Sequence, residues 1–296
     1  MMESQFIPYT ATTHLPEGNV LILAPHPDDE VFGCAGAIMQ HVAQGHDVKV
    51  IIVTDGQAAM PPTEVDNQAY YVEMRKQESR KAQAILGYQD LAFWDIPDRK
   101  LVCNEEMIQR VIDFIETHAI DYVYATSVLE VHPDHQALAN IAMEAVKRCG
   151  EKVHLVMYEV GIPLHPTILL DITPFQERKQ AAMQCFPSQL TNQNYARHIT
   201  ALNVYRSYTL SPEVKAAEAY YRLNGKQLQE DNTCQFGVTL QTETLKSINE
   251  DLQTAYKTIS ALETEVNTYQ QTLTQVYRSR SWRLTKPLRW ITQLRR

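Results

Sequence analysis

Two short clusters hold the residues of this sequence that could do chemistry. Residues 25–30 read Pro-His-Pro-Asp-Asp-Glu, and residues 132–135 read His-Pro-Asp-His. Imidazole and carboxylate groups at this density are what a catalytic zinc ion and its general base require. The two clusters therefore predict one hydrolytic metal site built from both segments.

The first cluster offers metal ligands beside a candidate base. His26 and Asp29 lie three residues apart, and one histidine of the second cluster can complete a set of three ligands. Such a set leaves a fourth position for a water molecule, whose pKa a zinc ion lowers to about 7. Asp28 adjoins a predicted ligand and is the natural general base. The remaining histidine could donate a hydrogen bond to an oxyanion.

An alternative interpretation of the first cluster is purely structural. Asp-Asp-Glu at the start of a helix can stabilise the helix dipole without any metal ion. The preceding His26, and a second histidine cluster at a matching strand end, favour the metal site.

Alternating apolar segments predict the elements that would position both clusters. Strands are expected at 19–24, 48–54, 91–94, 121–126, 154–159 and 168–172. Helical segments separate them, the first after a small-residue turn at 33–36. This order predicts an α/β fold, with a Rossmann-like, mostly parallel sheet and helices on both faces. Ligands of such sheets bind beyond the carboxyl ends of the strands, where both clusters fall.

Three segments together resemble a known family. Ala-Pro-His-Pro-Asp-Asp-Glu at 24–30, Gly-Cys-Ala-Gly at 33–36 and His-Pro-Asp-His at 132–135 look like the PIG-L/LmbE family of zinc-dependent N-acetylglucosaminyl deacetylases. The resemblance covers roughly residues 18–225. Ala35 stands where the family often has glycine, and Cys185 where members often have histidine.

The resemblance implies a role for each site residue. The family's zinc ligands correspond to His26, Asp29 and His135, with one zinc ion per chain; another divalent metal is the alternative. The proposed catalytic residues are Asp28 as general base, His132 as oxyanion donor and Asp134 as the group that orients and charges His132. Arg75 and Asp98 are the nearest matches to the family's sugar-binding residues.

The implied reaction is hydrolysis of the N-acetyl group of a GlcNAc-type sugar, an N-acetylated amino-sugar substrate, in bacterial cell-surface glycan or glycolipid biosynthesis. A second hypothesis is a non-catalytic scaffold subunit of a glycan-assembly complex. Intact residues in both clusters argue against that scaffold. Nucleotide-dependent sugar transfer is disfavoured because the chain lacks a Gly-x-Gly-x-x-Gly turn.

A heptad pattern follows the predicted deacetylase domain of residues 1–232. Apolar residues recur every seven positions from Leu245 to Leu273, without proline or glycine. Residues 241–278 are therefore expected to form a C-terminal coiled-coil helix through which the chain self-associates. The alternative is a long amphipathic helix folded back on the first domain.

Charge separates the last segment from the rest. The net charge is −8, yet residues 277–296 carry seven Lys and Arg and no acidic residue. We expect 279–296 to be a basic amphipathic tail that makes peripheral contact with an anionic membrane. It resembles tails of bacterial surface-polysaccharide enzymes. A solvated tail is the alternative. The acidic remainder argues against nucleic acid as a partner.

Five cysteines without a Cys-x-x-Cys pair favour a reduced, cytoplasmic protein. No signal peptide and no run of 18 apolar residues is recognisable. The expected localisation is cytoplasmic, at the inner face of the cell membrane if the tail binds lipid.

Overall fold

The computed structural model describes residues 11–61, 67–191, 193–230 and 238–278. The chain divides into two compact units, residues 1–233 and 234–296. The predicted basic tail, 279–296, lies outside the described residues.

The first unit is built on one eight-stranded sheet. Its strands are β1 (Ala11–Thr12), β2 (Asn19–Ala24), β3 (Val48–Thr54), β4 (Asp90–Ile96), β5 (Ile120–Thr126), β6 (His154–Tyr158), β7 (Ile168–Asp171) and β8 (Ala217–Asn224). They lie in the order β1-β7-β8-β6-β5-β2-β3-β4. All neighbours are parallel except β8, which is antiparallel to both β6 and β7.

Eight helices accompany the sheet among the described residues of this unit. They are α1 (Asp29–Ala43), α2 (Gln68–Leu86), α3 (Glu105–Thr117), α4 (Pro133–Cys149), α5 (Gln176–Met183), α6 (Pro187–Leu190), α7 (Tyr195–Arg206) and α8 (Gly225–Glu230). Helices α1, α2, α5 and α7 pack together, whereas α3, α4 and α8 form a second group. The prediction of a mostly parallel α/β sheet with helices on both faces is confirmed.

Burial explains why the central strands form. All residues of β2 from Val20 to Ala24 are fully buried, as expected for a parallel strand covered on both faces. Strand β2 lies between β3 and β5, so the chain leaves it in one direction and returns on the other side. Both sequence clusters follow the strands at this switch point, β2 and β5, where open α/β sheets bind ligands.

The predicted turn at 33–36 is wrong, because α1 runs through it. Its glycines serve close packing instead. A Cβ on Gly33 would lie 2.3 Å from the Tyr158 ring, and one on Gly36 would lie 2.2 Å from Ile172. Small residues let α1 approach β6 and the chain beyond β7. Because glycine is also common in turns, close helix packing and a turn give the same sequence signal.

The second unit contains α9 (Val238–Arg278), a helix of 41 residues. It is about 60 Å long at 1.5 Å per residue. Five heptad-seam residues in its described part expose half or more of their surface: Ile259, Leu262, Val266, Tyr269 and Leu273. Over the described part of the chain, no helix is long and apolar enough to cross a membrane.

Candidate metal centre and active site

The site lies where the loops after β2, β4 and β5 meet. His26 follows β2 by two residues, and Asp28 and Asp29 start α1. Asp98 follows β4, and His132 and His135 start α4 after β5. Parallel strands place all of these loops at one edge of the sheet, so residues over a hundred positions apart come into contact.

Three potential ligand atoms form a regular triangle. His26 Nδ1 lies 3.2 Å from both Asp29 Oδ2 and His135 Nε2. Asp29 Oδ2 and His135 Nε2 are also 3.2 Å apart. Ligands at about 2.0 Å from a tetrahedral zinc ion are separated by about 3.3 Å. The triangle therefore fits one face of a tetrahedral coordination shell.

His26 also belongs to two other groups that could hold a metal ion. One combines it with His132 and His135, and the other with Asp98, His132 and Asp134. The triangle with Asp29 is the stronger candidate, because all three of its edges have the length that tetrahedral zinc requires.

Carboxylates occupy the far side of the His26 ring. Its Nε2 lies 3.3 Å from Asp98 Oδ1 and 3.3 Å from Asp134 Oδ2. A proton on Nε2 leaves the lone pair of Nδ1 directed at Asp29 and His135. Metal-binding histidines are commonly oriented in this way by a carboxylate on the other ring nitrogen.

The environment of the two imidazoles favours a positive charge. Burial opposes a charge on His26, but the hydrogen bonds that its ring donates to Asp134, Asp29 and Asp98 raise its pKa well above the usual value. Burial also lowers the pKa of His135, but the charge of Asp29 outweighs it and raises the pKa to about 9. In the metal-free chain, a proton on these imidazoles thus partly neutralises the negative charge of the surrounding carboxylates. A divalent cation fits this excess of acidic groups.

Asp28 adjoins the triangle in a strained conformation. Its φ of 143° lies in the region that favours glycine, and its side chain is almost fully buried. Strain of this kind is typical of functional sites. Burial raises the pKa of Asp28 to about 7, although the charge of Arg75 acts in the opposite direction. A carboxyl group with a pKa near neutrality suits a general base.

Arg75 reaches this segment from inside the protein. It is 1% exposed, and its Nη2 donates to the carbonyl oxygen of Pro27 at 2.5 Å and lies 3.3 Å from Asp28 Oδ2. Its Nη1 donates to the carbonyl oxygen of Gly56 at 3.3 Å. The guanidinium group therefore supports the backbone beside Asp28, and its sugar-binding role stays a prediction.

His132 is the N-cap residue of α4 and is partly exposed. Its Nδ1 accepts a hydrogen bond from the backbone N–H of Asp134 at 3.2 Å. Burial, followed by the nearby charge of His26, lowers the pKa of His132. The neutral ring then carries its proton on Nε2, which is free to donate to a developing oxyanion.

Asp134 is fully buried. Its carboxylate contacts His26 directly, whereas its described contact with His132 is a backbone hydrogen bond. Its Oδ2 accepts from the backbone N–H of Arg99 at 2.7 Å and contacts His26 Nε2. Its predicted contact with His132 is made through the backbone. The charge of Asp134 still raises the pKa of His132, against the stronger effect of burial.

Asp98 closes one side of the site and is 8% exposed. Its Oδ2 accepts from the backbone N–H of Ala58 at 3.1 Å. Burial would raise its pKa, but a hydrogen bond and the charge of His26 lower it to about 2. Asp98 is therefore ionised and could accept hydrogen bonds from a sugar hydroxyl.

Sequence reasoning missed Glu130, which contacts His135 from the outer side at 3.4 Å. The available signal was an acidic residue two positions before His132, in the loop of the second cluster. That signal was weak, because acidic residues are common in surface loops.

Comparison with known proteins yields one family and several relatives. Residues 21–146 match the sequence model of PIG-L, described as GlcNAc-PI de-N-acetylase. The chain is 25% identical over 189 residues to a probable N-acetyl-alpha-D-glucosaminyl L-malate deacetylase 2 of Bacillus anthracis, covering 58% of this chain and 82% of that protein. It is 26% identical over 194 residues to a 4-oxalmesaconate hydratase of Pseudomonas putida, covering 59% and 75%.

A solved structure shares the fold. The N,N'-diacetylchitobiose deacetylase from Pyrococcus horikoshii superimposes with a TM-score of 0.66 at 20% identity, covering 74% of this chain and 88% of that one. The family match spans both sequence clusters, from His26 to His135.

Proposed function

We propose that this chain is a metal-dependent N-deacetylase of the PIG-L type, which uses zinc to remove the N-acetyl group from a GlcNAc-type sugar. The observation that carries the proposal is the 3.2 Å triangle of His26, Asp29 and His135, with Asp28 beside it. The relation to a deacetylase of glucosaminyl malate supports an amino-sugar substrate.

Each residue of the site has a proposed part in the hydrolysis. His26, Asp29 and His135 would hold the zinc ion, which supplies Lewis acidity and an acidified water. Asp28 accepts a proton from the attacking water while the oxygen of that water bonds to the acetyl carbon. The Nε2–H group of His132 donates to the oxygen that becomes negative.

The products follow from the same groups. When the C–N bond breaks, Asp28 returns its proton to the leaving nitrogen, so acetate and a free amine are released. The Asp134 carboxylate lies beside His26, and the Asp134 backbone N–H donates to the His132 ring. Loss of one oxyanion donor typically lowers the rate about 10²–10³-fold, which is the expected effect of removing the His132 ring.

The direct experiment measures bound metal and acetate release on the full chain. UDP-GlcNAc, GlcNAc oligomers and lipid-linked GlcNAc are the substrates to compare. His26→Ala should lose both metal and activity, whereas Asp28→Ala should keep the metal and lose activity. Full turnover by a metal-free His26→Ala protein would overturn the zinc assignment.

Acetate is the right readout because a hydratase is among the similar proteins. A hydratase would consume its substrate without releasing acetate. The scaffold hypothesis, in contrast, predicts no acetate release from any of the three substrates.

Asp98 is proposed to contact the sugar directly, and Arg75 is proposed to act on the bound substrate through Asp28. Asp98 lies beside His26 and is 8% exposed, and its carboxylate could accept a hydrogen bond from a hydroxyl group of the substrate. Arg75 faces Asp28, so its effect on the substrate would pass through that residue. Asp98→Asn should mainly raise KM, and Arg75→Gln should mainly lower kcat; a larger rise in KM for Arg75→Gln would indicate direct sugar binding.

Self-association through α9 is a further part of the proposal. A helix that exposes Ile259, Leu262 and Val266 along one stripe gains stability when a second copy covers them. Val266→Asp and Leu262→Asp together should convert the oligomer to a monomer in sedimentation experiments. A wild-type chain that is already monomeric would contradict this.

The tail at 279–296 is proposed to contact anionic lipid at the inner face of the cell membrane, with the catalytic unit in the cytoplasm. The support is its basic and aromatic composition. Co-sedimentation with anionic vesicles should weaken when 277–296 are removed, and unchanged binding would refute the role.

A further inference from the structure

Glu130 is a buried carboxylate that the proposed reaction does not use. It is 2% exposed and follows β5 in the loop that leads to His132. One of its oxygens, Oε1, accepts backbone hydrogen bonds from three consecutive residues: Val160 at 2.8 Å, Gly161 at 3.0 Å and Ile162 at 3.2 Å. The side chain thereby holds the loop that follows β6.

The other oxygen faces the metal site. Glu130 Oε2 lies 3.4 Å from Nδ1 of His135 and accepts from Gly161 N at 3.1 Å. The distance to His135 is that of a close ion pair with imperfect hydrogen-bond geometry. A proton on Nδ1 is nevertheless favoured there, and it leaves the lone pair of Nε2 directed at His26 and Asp29.

We propose that Glu130 is a positioning residue that couples the 160–162 loop to the metal ligand His135. This inference rests on the proposed function, because it concerns the same metal ion. One carboxylate, fixed by three backbone donors, sets both the orientation of the imidazole and its tautomer. Metal binding and the order of the loop should therefore depend on each other.

The chain offers a matched control in the same loop. Glu159 Oε2 accepts from Leu164 N at 2.9 Å and pairs with Arg206, whose Nη2 donates to the carbonyl oxygen of Leu164 at 2.8 Å. Glu159 is also buried, at 5% exposure. Its described contacts hold the loop without touching His135, so it separates loop stability from ligand orientation.

Glu130→Gln is the informative substitution because it nearly preserves shape. The amide can be placed in two orientations, and each brings its NH₂ group against another donor. If NH₂ replaces Oε1 it meets the backbone N–H groups of the loop, and if it replaces Oε2 it meets the protonated Nδ1 of His135. The variant must therefore loosen the loop or force His135 into the tautomer that protonates Nε2.

The experiment measures zinc affinity by competition with a chromophoric chelator, using full-length wild type, Glu130→Gln and Glu159→Gln. We expect zinc affinity to fall about 10–100-fold for Glu130→Gln, as is typical when the carboxylate partner of a ligand is lost. Glu159→Gln should remain within about threefold of the wild type.

Hydrogen exchange provides the second readout. Zinc should slow amide exchange at 160–162 in the wild type and in Glu159→Gln, and should have little effect there in Glu130→Gln. If Glu130→Gln fails to fold, Glu130→Asp is measured instead; its shorter side chain cannot reach the loop and His135 together.

The outcomes separate the two proposals. Unchanged zinc affinity in the Glu130 variant, or an equal loss in Glu159→Gln, would overturn the coupling. Zinc binding by the wild type without acetate release would overturn the proposed function alone. A wild-type chain that binds no zinc would overturn both.

Discussion

Replacement of Asp28 by asparagine should abolish catalysis and stabilise the metal-free protein. The amide has nearly the same shape as the carboxylate, so the substitution adds no steric demand at the positive φ of this position. The change therefore removes a charge without a packing defect. A residue kept for structure alone would show the opposite effect on stability.

The size of the stability gain follows from the burial of Asp28. Its pKa is raised from 3.8 to about 7 in the folded chain, mainly by desolvation. Between pH 4 and pH 7 the folded chain keeps a proton that the unfolded chain has lost, so the stability of the wild type falls as pH rises. About three pKa units at 1.36 kcal/mol each give about 4 kcal/mol, fully expressed above pH 7.

Below pH 4 both the folded and the unfolded chain hold the proton, and the difference in stability between wild type and variant should vanish.

The loss of activity does not depend on this difference in stability. Removing a general base commonly slows a reaction about 10²–10⁴-fold, which corresponds to about 3–5 kcal/mol of transition-state stabilisation.

The assay compares urea unfolding of metal-free wild type and Asp28→Asn at pH 8 and at pH 4, together with acetate release by the zinc-loaded forms. Asp113→Asn, an exposed site on α3, is the control and should show no pH-dependent difference. An Asp28→Asn protein that is less stable than the wild type at pH 8, or that retains full activity, would refute the reasoning.

Three further predictions concern the framework around α1 and α3. Lys179→Met breaks a 2.7 Å ion pair with Glu218 in which both side chains are 2% exposed, and should cost about 3–5 kcal/mol in urea unfolding; adding Glu218→Gln should recover part of this. Gly36→Ala places a Cβ 2.6 Å from Glu218 Oε2 and should cost about 1–3 kcal/mol, seen as a lower Tm. Asn104→Ala removes the cap that accepts from Met107 N at 2.9 Å, and should cost about 0.5–2 kcal/mol in urea unfolding.

Each of these has a clear contrary result. A Lys179→Met protein within 1 kcal/mol of the wild type would mean that the hydrogen bonds from Gly36, Ala37 and Tyr220 are enough to stabilise Glu218. An unchanged Tm for Gly36→Ala would mean that α1 can shift away from β8. Equal stability of Asn104→Ala would show that water replaces the cap of α3.

The sheet and the approximate position of the site were predictable because they depend on local patterns. Buried apolar segments such as Val20–Ala24 mark strands by themselves, and parallel strands bring their carboxyl ends together. His26 and His135 could be placed at one edge from that rule alone. The roles of the individual site residues remain predictions.

The contacts that escaped the sequence depend on distant parts of the chain. Nothing local shows that Glu130 would bind the loop at 160–162, since the pairing arises only when β5 and β6 are side by side. Arg75 was assigned to the substrate from the family resemblance, and nothing local in the sequence shows that it also binds the backbone carbonyl groups of Pro27 and Gly56. Strand β8 was missed since its antiparallel place between β6 and β7 breaks the regular alternation.

That position of β8 has a consequence for protein synthesis. The strand joins β7 and β1 to the rest of the sheet, and its Glu218 accepts hydrogen bonds from the backbone of Gly36 and Ala37 in α1. During synthesis, every proposed zinc ligand is therefore translated about eighty residues or more before β8, the strand that anchors α1 beside these ligands. We expect nascent chains that end before residue 217 to lack a firm metal site, so that prematurely terminated products cannot compete with the finished protein for zinc.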